Sequence, residues 1–146
     1  MTSNKRGDTG MVEITRSFEI EVDIIDDDHR RLVDSINEII QALNNEQFEL
    51  CAQLVPDFVD LSKQHFRREE SLLAKYDYPQ TDNHIKHHAS LDDKMETMLA
   101  LATKVADSPP AAEALRKELI FFMMDDIINE DMDFKSFMVN ATAGKA

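Results

Sequence analysis

Two spacings constrain this chain more than anything else in it: His65-Phe66-Arg67-Arg68-Glu69 and His84-Ile85-Lys86-His87-His88. In each, the outer pair is four residues apart, which on a helix stacks both side chains on one face, one turn above the other. Between them, Tyr76 to Pro79 reads as a break. Two antiparallel helices joined there bring three imidazoles and a carboxylate to one place. Imidazole suits zinc, copper, iron and nickel, and a carboxylate adds charge or bridges two cations, so this is a metal site in outline.

The rest of the chain supplies two more helices. Helix one is expected to begin near Asp26 to Asp28, whose carboxylates suit a helix N-terminus. Its apolar face is Leu32, Val33, Ile36, Ile39, Ile40 and Leu43, with His29 on it, and it ends at Asn44-Asn45. Helix two runs from about Gln47 to Lys75, with Phe58 and Leu61 leading to His65, Glu69 and Leu72. Pro56 inside it predicts a kink, or a start only after the proline. Helix three, from about Thr81 to Ala106, carries an unbroken stripe of His84, His88, Leu91, Met95, Met98, Ala102 and Val105. Ser108-Pro109 supplies an N-cap and a first-turn proline for helix four. That helix holds Leu115, Leu119, Phe122, Asp126, Asp131, Phe134 and Met138. Asp126 and Asp131, five apart, diverge by roughly 140° on an α-helix, so they flank a site without sharing a column.

Before helix one, Phe18, Ile20, Val22 and Ile24 alternate with acidic residues. With no second strand to pair with, the alternation reads as an extended arm laid across the helices. The expected architecture is all-α: an up-down-up-down four-helix bundle over residues 18–139 with an extended N-terminal arm. A disordered or arm-like leader (1–17) and a C-terminal tail (140–146) flank it.

A chain of 146 residues fits one domain. Its net charge of −13 argues against nucleic acid or an anionic membrane as partner, and favours cations. Cys51 stands alone, so no internal disulfide is expected. No stretch approaches the ~18 apolar residues of a membrane span, and Met1 to Asp8 is polar, so a cytoplasmic protein is expected.

A lone histidine on an apolar stripe is more often a hydrogen-bonded core group than a ligand. Here four histidines and two carboxylates sit on core-facing positions of four helices, and burying them unpartnered costs several kcal/mol each. A bound cation removes that cost. His87 lies about 100° round the helix from His88 and is read as solvent-facing with no role. Glu70 and Glu130 are read as surface charges, and the eight methionines as core filler.

Together His29, His65-x-x-x-Glu69, His84-x-x-x-His88 and Asp131 resemble the hemerythrin family. Its fourth helix carries His-x-x-x-x-Asp, and Asp126 stands where the family has that histidine. The resemblance covers roughly residues 18–139 and implies a bacterial four-helix bundle holding two non-haem iron ions, joined by an oxo or hydroxo bridge. It assigns His84, His88 and position 126 to one iron, His29 and His65 to the other, and Glu69 and Asp131 to both. An aspartate reaches less far than an imidazole. Asp126 therefore ligates after a helix shift, holds a water in the gap, or leaves that metal weakly bound or replaced by another.

The function implied is binding or sensing of dioxygen at a modified, more easily oxidised site. The alternatives are a diiron oxidoreductase acting on peroxide or nitric oxide, and an iron or redox sensor working through a protein partner. No catalytic residue is assigned. A dry wall for the small ligand is expected from Leu32, Phe66, Leu119, Phe122 and Met123.

Overall fold

The structure, a computed structural model, describes residues 11–13 and 15–143. The first part of the expected leader and the last three residues of the tail lie outside the described residues. Helix α1 spans Asp23–Asn44, starting ahead of the expected acidic run. Asp26 turns back instead, and its carboxylate accepts from the backbone N–H groups of Ile20 at 2.8 Å and Glu21 at 3.0 Å. That contact fixes the angle at which the arm enters the helix. The arm contains a 3₁₀ turn, Arg16–Phe18, and is tied to α1 where Asn37 bonds both the N–H and the C=O of Val12. Ile20 and Val22 are buried, but Ile24, expected on the same side, falls inside the helix and is exposed.

Helix α2 spans Phe48–Lys75 and continues through Pro56. Both α1 and α2 stop without glycine. After α1, Glu46 takes φ 56° and Gln47 N–H reaches back to Ala42 C=O; after α2, Asp77 takes φ 57° and Tyr78 N–H reaches Leu73 C=O. These are Schellman closures built on residues that pay a steric cost for left-handed backbone.

The third limb is interrupted: α3 (Thr81–Ser90) and α4 (Asp92–Ala102) meet at Leu91, and the limb ends earlier than expected. Its predicted inward stripe is nevertheless buried throughout, Leu91 and Val105 included. The fourth limb opens at α5 (Pro109–Phe121), where the Ser108 hydroxyl caps the Ala111 N–H. It then runs through a π-helical segment, Phe122–Asn129, into the single turn α6 (Glu130–Met132), and α7 (Lys135–Ala143) follows.

Helix α1 packs on α2, α2 on α3 and α4, α4 on α5, and α5 back on α1, which closes an up-down-up-down four-helix bundle. No strand is present among the described residues, and no helix among them is long and apolar enough to cross a membrane. The apolar interior has two parts. The larger includes Leu32, Ile36, Phe58, Phe66, Met98, Leu119, Phe122 and Ile127; the smaller is Ile20, Val22, Ile25, Leu73, Phe134 and Met138. Along α1, α2 and the fourth limb, the polar residues His29, Glu69 and Asp131 fall between these two clusters. The polar layer is therefore sealed by hydrocarbon above and below.

Candidate metal centre

Each limb contributes to that layer: α1 brings His29, α2 His65 and Glu69, α3 His84 and His88, and α6 Asp131. All six are buried. They form two groups of ligand atoms, each within 4.8 Å of one another: His29, His65, Glu69, Asp131, and Glu69, His84, His88, Asp131. The two carboxylates belong to both groups, and their oxygens divide between them. Asp131 turns Oδ2 to His29 Nε2 (2.7 Å) and His65 Nε2 (3.2 Å), and Oδ1 to His84 Nε2 (3.2 Å). Glu69 turns Oε2 to His65 Nε2 (3.0 Å), and Oε1 to His84 Nε2 (2.5 Å) and His88 Nε2 (3.0 Å).

The outer ring nitrogens of two histidines are anchored. His65 Nδ1 donates to Asp28 at 3.0 Å, and Arg68 clamps the same carboxylate through Nε (2.9 Å) and Nη2 (2.8 Å). His88 Nδ1 donates to Glu70 at 2.7 Å. Such partners fix the tautomer and orientation of an imidazole and leave the Nε2 lone pair facing inward. At His65, that lone pair then faces carboxylate oxygens. Glu69 Oε2, fully buried, has no hydrogen-bond partner even though His65 Nε2 is 3.0 Å away. Lone pair against lone pair is repulsive unless a proton or a cation lies between.

The protonation tendencies agree. Burial opposes charge on His65, but the charge of Glu69 and hydrogen bonds to Asp131 and Asp28 hold its pKa well above the ordinary value. Burial likewise opposes charge on His84, yet its bonds to Asp131 and Glu69 and their charges raise it to about 10. Burial works against the ionised form of Asp131; hydrogen bonds with His29, His65 and His84 outweigh it and keep the carboxyl well below its usual range. The layer demands positive charge, and protons meet the demand where no metal does. Nitrogen and oxygen donors of this hardness fit a first-row divalent cation.

Asp126 is placed differently. It belongs to neither converging group; its Oδ2 accepts from Lys94 Nζ at 2.7 Å. The π-helical segment also changes its relation to Asp131. An i→i+5 hydrogen-bond pattern puts more residues in each turn, so positions five apart come closer to one column than the α-helical 140° allows. His87, expected to face solvent, is half-buried, and its Nε2 donates to the backbone carbonyl of Asp126 at 3.0 Å. Glu70, expected to be a surface charge, is the partner of His88. Glu130 does stay near the surface, 4.0 Å from His87 Nδ1.

The five residues expected to wall a ligand pocket, Leu32, Phe66, Leu119, Phe122 and Met123, are all buried in the larger apolar cluster. Phe66 stacks on His88, with ring centroids 4.2 Å apart and planes at 18°, and meets Phe122 edge-on. A surface cavity of about 370 Å³ reaches the layer from the other side, lined by Tyr78, Gln80, Asn83, His84, Glu130 and Asp133.

Asp28, Arg68, Glu70 and Lys94 escaped the sequence reading. One signal was available: a ligating histidine normally gives its second nitrogen to a carboxylate. Asp28 and Glu70 sit directly beside the candidate ligands His29 and Glu69.

Comparison with known proteins agrees with this geometry. The bacteriohemerythrin of Stenotrophomonas maltophilia is 30% identical over 69 residues, 47% of this chain and 45% of that protein. That of Clostridium acetobutylicum is 29% identical over 84 residues, 55% of this chain and 65% of that protein. The Pseudomonas aeruginosa protein is 30% identical over 67 residues, 46% and 44% of the two chains. The matched stretch thus spans less than two thirds of each of these relatives. The model of the hemerythrin HHE cation binding domain matches residues 21–137, from the end of the arm to the last helix. With that match over most of its length, the chain belongs to the hemerythrin family.

Proposed function

We propose that this chain is a non-haem diiron protein that binds or senses dioxygen. One observation carries the reading: two histidine pairs face each other across two carboxylates, and each carboxylate offers one oxygen to each pair. His29 and His65 would hold one iron, His84 and His88 the other, and Glu69 and Asp131 would bridge them beside a solvent-derived oxo or hydroxo group. When bound, the two ferrous ions supply a reversible source of two electrons for a small diatomic ligand.

The protein's own part is orientation and exclusion. Asp28 and Glu70 keep the Nε2 lone pairs of His65 and His88 directed inward. Phe66, Phe122, Leu32, Leu119 and Met123 keep bulk water away from that side of the layer, which limits proton delivery to a bound ligand. Position 126 supplies a carboxylate where the family has an imidazole, so one metal has a histidine fewer than usual. Reversible carriage should therefore be poorer and oxidation in air faster. The same substitution favours a second reading, an oxidoreductase that turns over peroxide or nitric oxide.

The test is dioxygen titration of anaerobically reduced, iron-loaded protein, followed by visible spectroscopy. A reversible spectral change that decays in minutes, and more slowly in Asp126→His, is expected. No spectral response to dioxygen combined with multiple turnovers of added peroxide would favour the second reading.

A further inference from the structure

Asp126 is gripped from two directions by the third limb. His87 of α3 donates to its backbone carbonyl, and Lys94 of α4 donates to its carboxylate at 2.7 Å. Lys94 is itself positioned, its Nζ 4.9 Å from the centre of the Phe121 ring, and its side chain is 39% exposed against 11% for Asp126. The carboxylate therefore has a strong, charge-assisted partner on the solvent side. It lies outside both groups of converging ligand atoms, although Asp131, five residues on, joins both.

We propose that Lys94 holds Asp126 off the metal centre, so that the His84–His88 half keeps a coordination position open to a small monoanion. This rests on the metal-centre reading above. With Asp126 drawn away, that half has two imidazoles and a share of two carboxylates, the same donors as the His29–His65 half. Two imidazoles with carboxylate ligation is a donor set that leaves exchangeable positions on a divalent metal. Two divalent cations would meet two carboxylates and one bridging hydroxo group, which leaves a positive charge that a small anion balances better than a neutral ligand does. Lys94 is thus a positioning residue: its effect on the metal passes through Asp126.

The experiment uses cobalt(II) as probe metal and azide as probe anion, on the full chain. Cobalt per chain is measured by elemental analysis and azide affinity from the visible ligand-field bands. The unaltered protein should take up two cobalt ions and bind azide. Lys94→Met frees Asp126 to occupy the open position and should weaken azide binding at the His84–His88 half about ten-fold, with cobalt content and azide binding at the other half unchanged. Lys94→Arg keeps the ion pair and should restore azide binding. Asp126→Ala should retain both cobalt ions and bind azide within two-fold of the unaltered protein. The double variant Lys94→Met with Asp126→Ala should recover the azide affinity that Lys94→Met loses.

Loss of a cobalt ion in Asp126→Ala would overturn the proposal, because Asp126 would then be a ligand. Unchanged azide affinity in Lys94→Met overturns it too, as does a double variant as weak as Lys94→Met, which makes the lysine charge alone responsible. A protein that takes up no cobalt in any form instead overturns the metal-centre reading itself.

Discussion

Replacing Asp28 by asparagine separates what this carboxylate does for the fold from what it does for the metal centre. Asp28 is 2% exposed and takes three hydrogen bonds, one from His65 Nδ1 and two from Arg68. Burial alone would raise its pKa, but the bonds and charges of His65 and Arg68 bring it down from 3.8 to about 2. A depressed carboxyl contributes stability above its unfolded pKa, and the contribution is lost as pH falls through about 2. A shift of this size corresponds to roughly 2 kcal/mol at neutral pH. Asparagine keeps the shape and one acceptor, so Asp28→Asn should cost the metal-free protein about 1–2 kcal/mol, or roughly 5 °C in melting temperature.

The metal should feel it more: mutating the carboxylate partner of a ligating imidazole costs about 10–100-fold in affinity, and a neutral amide oxygen accepts from His65 less strongly than the carboxylate does. Arg68→Ala is the control: it removes two of the three bonds but leaves His65 anchored. Melting of the metal-free proteins and cobalt competition against a chelator measure both effects. Similar stability losses in the two variants, with affinity lost only in Asp28→Asn, is the expected pattern. Metal affinity in Asp28→Asn within two-fold of the unaltered protein would refute the orienting role.

Other outcomes follow from the same layer. Because the His84 pKa is raised to about 10 in the metal-free fold, its contribution to stability is complete below pH ~6.5 and lost as pH rises through ~10. Metal-free protein should melt progressively lower between pH 7 and 10, while metal-loaded protein, its ligands deprotonated, shows a flatter profile. Glu70→Ala should weaken the His84–His88 half selectively, so metal titration shows one site weakened by about ten-fold and the other intact. Phe66→Ala removes a buried ring that stacks on His88 and should cost about 3–5 kcal/mol in denaturant unfolding. Asp77→Gly should stabilise the fold by up to ~1 kcal/mol, since Asp77 closes α2 at φ 57°.

What the sequence made legible follows periodicity. His29, His65, Glu69, His84, His88 and Asp131 each lie on an apolar stripe of period near 3.6, so core-facing placement could be read without coordinates. What stayed hidden depends on neighbours from other limbs. Asp28 meets His65 and Arg68, Glu70 meets His88, and Lys94 meets Asp126, all across helix boundaries. An acidic residue beside a stripe looks the same in sequence whether water or an imidazole faces it.

The π-helical segment was hidden for another reason. Phe122 to Asn129 contains no glycine or proline to mark it, and the change of pitch shows only in which carbonyl each N–H reaches. Reading it as an α-helix turned Asp126 and Asp131 too far apart. The break at Leu91 is of the same kind: the residue is apolar and buried, and nothing in its type announces a cap.

The most direct test of the central claim is a metal count per chain on protein grown with ample iron and never exposed to chelator, joined to an anomalous-scattering map of its crystals. Two metals per chain are predicted, one against His29 and His65 and one against His84 and His88, with Glu69 and Asp131 between them. Protein that is empty of metal, and no more stable when metal is added, would contradict it.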